Sequence, residues 1–467
     1  MMLPILLQTC KKILIYVGYV CTALLCLCFL FALLFIRPLD RTPYQRTEFY
    51  AQTKQYWNRI FNKKKYIHTQ GKIWLVGWAK ENFTPSEPIE MTGYLNRQKN
   101  KFDCVQDSLF VRAFVFDNQE VEVAIVTLDL LIVPPSLVQI VQKKLENICF
   151  LPENVYFSAT HTHSSIGGWG DNLVGYFFTG EYRPQLVVNL AQKVVQAIQK
   201  ARQTKKKAKI GFQRLATAGI VCNRLVGYKG QTDSWLRLIK VEQEQGKTAL
   251  LVSYAAHPTC LSEKITCLSG DYPSDMIAYI EKYTSIDMVA FLAGAMASQG
   301  TIRKNQQPDE LHKQRIAKIL AQKIIFHSNN IVLTDSIAQI QVIRLPLYLR
   351  SPHFRIAKNW VLSSWLFRQI YGEQRPFVQV LRLGNIVLLG MPCDFSGELV
   401  AQFESICKQK NIQLMITSFN GAYIGYITHD AWYDLPKYET YDMAWHGPEN
   451  GAYFSELIRT ILERIES

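Results

Sequence analysis

Histidine is scarce in this chain, with nine among 467 residues. Two of them nevertheless fall one residue apart in "NVYFSATHTHSSIGG", where His161 and His163 follow a run of strand-forming residues. His257 stands in the same position after "ALLVSYAA". Ser298 comes soon after "DMVAFLAG", Asp394 soon after "NIVLLGM", and Tyr423 soon after "IQLMITSF". Polar groups that end the strands of an α/β sheet lie where such sheets bind their ligands. Nitrogen and oxygen donors without cysteine suit a catalytic zinc that keeps one coordination position open, rather than a structural zinc. Each residue also has an ordinary reading. His257 alone would be a hydrogen-bonded core histidine, and Asp394 a cap for a helix starting near Ser396. An extended chain sends alternate side chains to opposite faces. His161 and His163 therefore cannot both be ligands without a turn, and the pattern favours one ligand and one proton-handling or supporting histidine.

The elements that must position these groups alternate between strand and helix. Buried strands are predicted at Val121–Val133, Asn154–Thr160, Ala249–Ala256, Asp287–Gly294, Asn385–Met391 and Ile412–Phe419. Helical spacing marks Gln185–Arg202, Ser274–Thr284, Asp309–His327 and Ser396–Lys408, with another helix opening at Pro134-Pro135. The alternation predicts an α/β fold, a mixed sheet core with flanking helices. The segment "HFRIAKNWVLSSWLFRQIYG", residues 353–372, carries aromatic residues at near-helical spacing with Arg and Lys between them. It reads as a core helix, or as one lying on a membrane surface beside the site.

"ILIYVGYVCTALLCLCFLFALLFI", residues 13–36, is uncharged and longer than the roughly 20 apolar residues that cross a bilayer. It is too long for a signal-peptide apolar region, so one uncleaved N-terminal transmembrane helix is expected. Lys11 and Lys12 precede it and Arg37, Arg41 and Arg46 follow, so charge alone does not orient it. The expected divisions are residues 1–36 as tail and anchor, 37–70 as a basic linker, and 71–467 as one catalytic domain. The composition, 48% hydrophobic and 19% charged with a net charge of +14, excludes a disordered chain. No zinc-finger motif, RNP-type motif or basic recognition helix accompanies the positive charge, so a membrane rather than nucleic acid is the expected partner. Among eleven cysteines, Cys10, Cys21, Cys26 and Cys28 lie in or beside the anchor. Cys260 and Cys267 are near enough in sequence to bridge, with free buried thiols the favoured state.

Several segments, in order, resemble the neutral/alkaline non-lysosomal ceramidases. "SATHTHSSIGG" resembles that family's ATHTHSGPGG, and "VGWAKENFTPSEPIEMTGY" its opening segment ending in Met-x-Gly-Tyr. "CNR" at residues 222–224 is similar to its Asn-Arg. "AAHPTCL…LSGDYP" is similar to its HPT segment followed by S-G/A-D-Y-P, and "MPCDFSGEL" stands where the family has Pro-Gly-Glu-Phe. "GAYIGYIT…KYETY" resembles its Tyr-x-x-Tyr and Tyr-Glu pair. The resemblance spans about Val76 to Tyr453. It implies one Zn2+ per chain held by His161, His257, Asp394 and Tyr426. It further implies His163 as the catalytic neighbour, Arg224 holding the substrate or its oxyanion, and Tyr438 lining the site.

Two departures stand out. The family's Gly-Asp-x-Ser/Asn-Pro stretch is "GAMASQG" here, leaving Ser298 as an approximate counterpart of its serine. Asp394 replaces a glutamate and reaches roughly 1.5 Å less far, which makes Glu398, one turn on, the alternative ligand. The Gly-Pro after THTH is Ser165-Ile166, and the β-sandwich common in the family has no counterpart before Ser467. The expected function is a membrane-anchored, zinc-dependent amide hydrolase. Its substrate would be an N-acyl lipid, ceramide above all, and its domain would lie on the extracytoplasmic side of a single-pass membrane protein. The alternatives are a zinc hydrolase of another N-acyl amide or ester, and a catalytically silent lipid-binding homologue.

Overall fold

The computed structural model describes residues 2–97, 100–334 and 338–465, with side chains from Lys11 onward; the side chain of Cys10 thus lies outside the described residues. Two sheets pack face to face, and helices cover both outer surfaces. The larger sheet has eight strands. In spatial order they are Ile286–Ala293, Thr248–Tyr254, Trp235–Gln243, Lys206–Ala216, Trp74–Asn82, Phe110–Asp117, Glu122–Leu128 and Val155–Ala159. The smaller sheet has five: Ile67–Gly71, Ala338–Pro346, Phe377–Leu383, Ile386–Gly390 and Gln413–Thr417.

Both inner faces are apolar, so neither sheet is stable in water without the other. Between them Trp74, Phe114, Ile125, Leu251 and Met288 of the large sheet meet Ile340, Leu381, Leu388 and Met415 of the small one. Outside the large sheet lie the helices Pro135–Glu146 and Pro184–Gln203 at one end and Asp271–Tyr283 and Asp309–Ser328 at the other. The helices Glu48–Asn62 and Asn450–Arg464 cover the small sheet. Each presents apolar residues at helical spacing to the sheet, as Val187, Leu190, Val194 and Ile198 do.

Within these two sheets most neighbouring strands are antiparallel, but three pairs are parallel: Glu122–Leu128 with Val155–Ala159, Thr248–Tyr254 with Ile286–Ala293, and Ile386–Gly390 with Gln413–Thr417. The long sheet curls so that its two parallel ends approach one another, and Thr127 Oγ1 donates to the Phe291 carbonyl at 2.6 Å. The chain segments leaving these strand ends consequently enter one shared space.

Four expectations need amendment. The strand predicted to run to Val133 ends at Leu128, because the next carbonyls are taken by the His161 loop. The helix predicted over Ser396–Lys408 is helical only at Glu404–Gln409. Before it, Asp394–Phe395 is held as a strand against Tyr426–Ile427, and two 3-10 turns follow. Residues 353–372 are not one helix: Arg355–Ala357 and Trp360–Leu362 form a hairpin, and only Ser364–Tyr371 is helical. Cys260 is a free buried thiol, whereas Cys267 is bonded to Cys104, a partner 163 residues away that spacing does not reveal.

The apolar N-terminal helix runs from Met2 to Phe35, and its 25-residue stretch Lys11–Phe35 is long and apolar enough to cross a membrane. The segment that follows is folded onto the domain. Trp57, Ile60 and Phe61 of the helix Glu48–Asn62 are buried in the core outside the small sheet.

Candidate metal centre

The strand Val155–Ala159 delivers the chain to His161, whose φ of 63° lies in the left-handed region. That bend cancels the alternation expected of an extended segment. Instead of pointing apart, the two imidazoles converge, with Nε2 of His163 at 3.3 Å from Nε2 of His161. His257 joins them from the end of Thr248–Tyr254, and its ring lies 4.9 Å from that of His161. The three side chains form one group whose ligating atoms all lie within 4.8 Å of one another.

All three imidazoles are oriented in the same way. Nδ1 of His161 bonds the Leu131 carbonyl at 2.6 Å, and Nδ1 of His163 bonds the Gly93 carbonyl at 2.8 Å. Nδ1 of His257 bonds the Met296 and Gln299 carbonyls at 2.8 and 3.0 Å. A carbonyl only accepts, so each Nδ1 carries the proton and each Nε2 presents a lone pair to the centre. Gly93 serves this arrangement through its own shape. At its φ of +114°, a Cβ would stand 2.4 Å from the His163 carbonyl, so only glycine permits the approach.

Asp394 enters from the small sheet. It is the register partner of Tyr426 in a two-stranded parallel ladder, so a single pairing brings carboxylate and phenol side by side. Oδ2 of Asp394 accepts from the Tyr423 hydroxyl at 2.8 Å. Oδ1 is buried without a hydrogen-bond donor, and it faces Nε2 of His257 at 3.2 Å and Nε2 of His161 at 3.5 Å. A carboxylate oxygen and imine lone pairs cannot satisfy one another. His257 Nε2 has Arg224 and the Tyr426 hydroxyl within reach, but Asp394 Oδ1 is left without a donor, and a buried orphan acceptor is costly. Such a set fits a divalent cation, and its chemistry, nitrogen and oxygen without sulfur, fits zinc. The protonation states agree. Burial pushes all three histidines well below their ordinary pKa, so they are neutral and able to ligate. Burial also pushes Asp394 upward and the phenols of Tyr423 and Tyr426 far upward.

Arg224 closes one side. Its Nη2 donates to Nε2 of His257 at 2.9 Å and to the Tyr426 hydroxyl at 3.3 Å. Burial works against its charge, but Glu439 more than offsets this, accepting from Arg224 Nε at 2.7 Å and holding the guanidinium protonated. Ser298 binds the same carboxylate through its backbone N–H at 2.7 Å and its Oγ at 3.1 Å. Ser298 thus supports Glu439 rather than lining the pocket. Tyr438 does line the pocket, and its ring stands 5.9 Å from that of Tyr426. Glu398 lies elsewhere: its oxygens accept from Trp432 Nε1 at 2.9 Å and from the Asn223 amide. The sequence reading did not single out Glu439, the carbonyls of Leu131 and Gly93, or Phe419, which stacks on His161 at 4.2 Å. Glu439 was within reach as the neighbour of Tyr438; carbonyl partners carry no side-chain signal at all.

The centre opens into a cavity of about 350 Å³. Apolar walls come from Leu131, Ile132, Trp169, Val174, Phe178 and Trp445, and both His161 and His163 reach its floor. An apolar cleft ending in convergent polar groups is the shape of a site for a largely apolar ligand.

Two solved structures share this architecture. The crystal structure of neutral ceramidase from Pseudomonas aeruginosa superposes with a TM-score of 0.72 at 16% identity, covering 85% of this chain and 75% of that one. A ceramidase complexed with C2 gives 0.73 at 15% identity, covering 84% and 75%. The fold is therefore that of the neutral ceramidases. The profile of the neutral/alkaline non-lysosomal ceramidase N-terminal domain matches residues 74–300, the stretch that supplies His161, His163, Arg224, His257 and Ser298. Over that stretch the chain is similar to this family.

Proposed function

We propose that the protein hydrolyses the amide bond of an N-acyl lipid, ceramide above all, with one Zn2+ per chain held by His161, His257, Asp394 and Tyr426. The observation that carries this reading is the donorless Asp394 Oδ1 facing the Nε2 atoms of His161 and His257 at the floor of an apolar pocket. When bound, zinc supplies a water acidified toward pH 7 and polarises the amide carbonyl. The side chains of this protein do the rest. Arg224, fixed by Glu439, donates to the developing oxyanion. His163, neutral and with Nε2 free to accept, takes a proton at that nitrogen and passes it to the leaving amine. Tyr438 packs along the substrate at the pocket wall, and the apolar walls hold the acyl chain and exclude water.

A second ligand set is favoured by one distance, the 3.3 Å between the Nε2 atoms of His161 and His163: His163 as a third nitrogen ligand, with proton transfer left to another group. Metal analysis of purified protein separates the two. About one zinc per chain, lost in His161→Ala and His257→Ala but kept in His163→Ala with activity abolished, supports the first set. Zinc lost in all three supports the second, and a well-folded protein without metal affinity overturns both. Turnover of a fluorescent ceramide compared with a panel of N-acyl amino acids then tests the substrate, and turnover of the amino-acid conjugates alone would refute ceramide.

The same reading makes the protein single-pass, with Lys11–Phe35 in the bilayer and the domain on the extracytoplasmic side. The Cys104–Cys267 bond supports that side, since disulfides persist in oxidising compartments. Protease protection of the domain in sealed vesicles, lost on permeabilisation, is the expected result; digestion of the domain from the cytosolic face would refute it.

A further inference from the structure

We propose that the mouth of the pocket docks on the leaflet surface next to the anchor, so that a lipid substrate passes from bilayer to site without crossing water. The docking surface consists of the helix Leu173–Thr179, the helix Ser364–Tyr371 and the hairpin residue Trp360. The inference rests on the reading of Lys11–Phe35 as a membrane span and adds to it where, and by which side chains, the domain meets the lipid.

The anchor is fused to the domain rather than tethered. The carbonyl of Phe35, its last residue, accepts from the backbone of Ser363 at 2.7 Å, and Ser363 is the N-cap of the helix Ser364–Tyr371. The next three residues, Ile36–Pro38, form an antiparallel strand on Trp360–Leu362. The Phe35 ring stacks on Trp365 at 5.6 Å, and Arg37 donates to the helix-end carbonyls of Leu33 and Leu34 at 2.8 Å each. A continuous ladder of this kind fixes the direction in which the membrane lies relative to the domain.

Both helices are two-faced. On Ser364–Tyr371, Phe367 and Tyr371 are buried and Tyr371 lines the pocket, while Trp365 is 58% exposed. On Leu173–Thr179, Val174 and Phe178 line the pocket, while Leu173, Tyr176 and Phe177 are each about half exposed. The two helices touch each other, and Trp360 is 51% exposed at the hairpin turn. Large apolar side chains gathered in one place on a surface mark an interaction site. Tryptophan and tyrosine in particular settle at the boundary between water and hydrocarbon. Arg37, Lys358 and Arg368 are exposed in the same segments and suit lipid phosphates. One set of short helices therefore forms the pocket wall on its inner face and presents lipid-compatible residues outward, beside the point where the anchor leaves the bilayer.

The test uses the full chain in phosphatidylcholine vesicles. The anchor helix contains no tryptophan, so quenching of tryptophan emission by lipids brominated near the headgroup end of the acyl chain reports on the domain. The unsubstituted chain should be quenched, and Trp360→Phe with Trp365→Phe should remove at least half of the quenched signal. In parallel, Leu173→Ser with Phe177→Ser should slow hydrolysis of long-chain ceramide in the bilayer tenfold or more. The same variant should leave a water-soluble short-chain N-acyl amide within twofold. Quenching unchanged by the tryptophan substitutions, or equal losses on both substrates, overturns the proposal. Flotation of the chain with the vesicles reports the anchor separately. If the unsubstituted chain cleaves neither substrate, the catalytic reading fails and quenching alone decides the docking surface.

Discussion

The substitution Asp394→Asn should change stability in opposite directions with and without metal. Without metal, Asp394 is a buried carboxylate with Oδ1 facing two imidazole lone pairs. The amide removes that charge and supplies an N–H2 donor for one of the nitrogens, keeping the volume the same. The metal-free variant should therefore melt at or above the temperature of the metal-free parent, since relieving a buried unpaired group is worth about 1–3 kcal/mol. With metal the order reverses. A ligand that binds only the folded chain stabilises it by about 2.7 kcal/mol at a hundred times its dissociation constant. A domain of roughly 400 residues has an unfolding entropy near 0.8 kcal/mol/K, so this raises the melting temperature by about 3 °C. The substituted amide offers a weaker, uncharged donor, and at the same zinc concentration the shift should fall below about 1 °C. Differential scanning fluorimetry in EDTA and in buffered zinc reads both numbers. A variant that keeps the parent's zinc shift, or whose metal-free form melts several degrees lower, would refute the assignment of Asp394 as a ligand.

Opening the Cys104–Cys267 bond by Cys104→Ser with Cys267→Ser releases a loop of 163 residues. Loop-closure entropy sets a ceiling of about 5 kcal/mol, with 2–4 kcal/mol typical. A fall in melting temperature of about 3–5 °C is expected, and dithiothreitol should bring the parent down to the variant's value; no change on reduction would refute a formed bond. Ser298→Ala removes one hydroxyl bond to Glu439 and should cost tenfold or less in kcat. Glu439→Gln loosens Arg224 and should cost about 10²–10³, and a larger loss for Ser298→Ala than for Glu439→Gln would make the serine a reacting group. His446 is buried and its pKa is lowered to about 4 from 6.5. The folded state thus binds this proton less readily than the unfolded chain does. Stability is full above pH 6.5 and falls toward pH 4 by up to about 1.4 kcal/mol per pH unit, and His446→Gln should flatten this limb of an acid titration followed by circular dichroism.

Much of the site was legible because its groups follow strands, and strands announce themselves by apolar runs. The positions of His161, His257 and Asp394 after such runs follow from the sequence, and so does the mixed α/β core. What misled was the assumption that His161 continues the extended chain: a single left-handed residue reverses the face on which His163 appears, and Thr-His-Thr carries no glycine to announce it. The fate of Glu398 was equally hidden, since Asn223 and Trp432, which engage it, come from distant parts of the chain. The helix expected after Ser396 failed for a related reason. Its first residues are claimed by pairing with Tyr426–Ile427, and tertiary pairing overrides local propensity.

The imidazoles of the centre are oriented by main-chain carbonyls of Leu131, Gly93, Met296 and Gln299, and a carbonyl belongs to every amino acid. Selection acting on such a scaffold conserves the path of the backbone and leaves most of the surrounding letters free to drift, Gly93 excepted. Substitutions can accumulate around such a scaffold while the carbonyls still hold the imidazoles in place. Distant relatives of this chain are therefore better sought by the spacing of carbonyl-bearing turns around a His-x-His than by the residues flanking it.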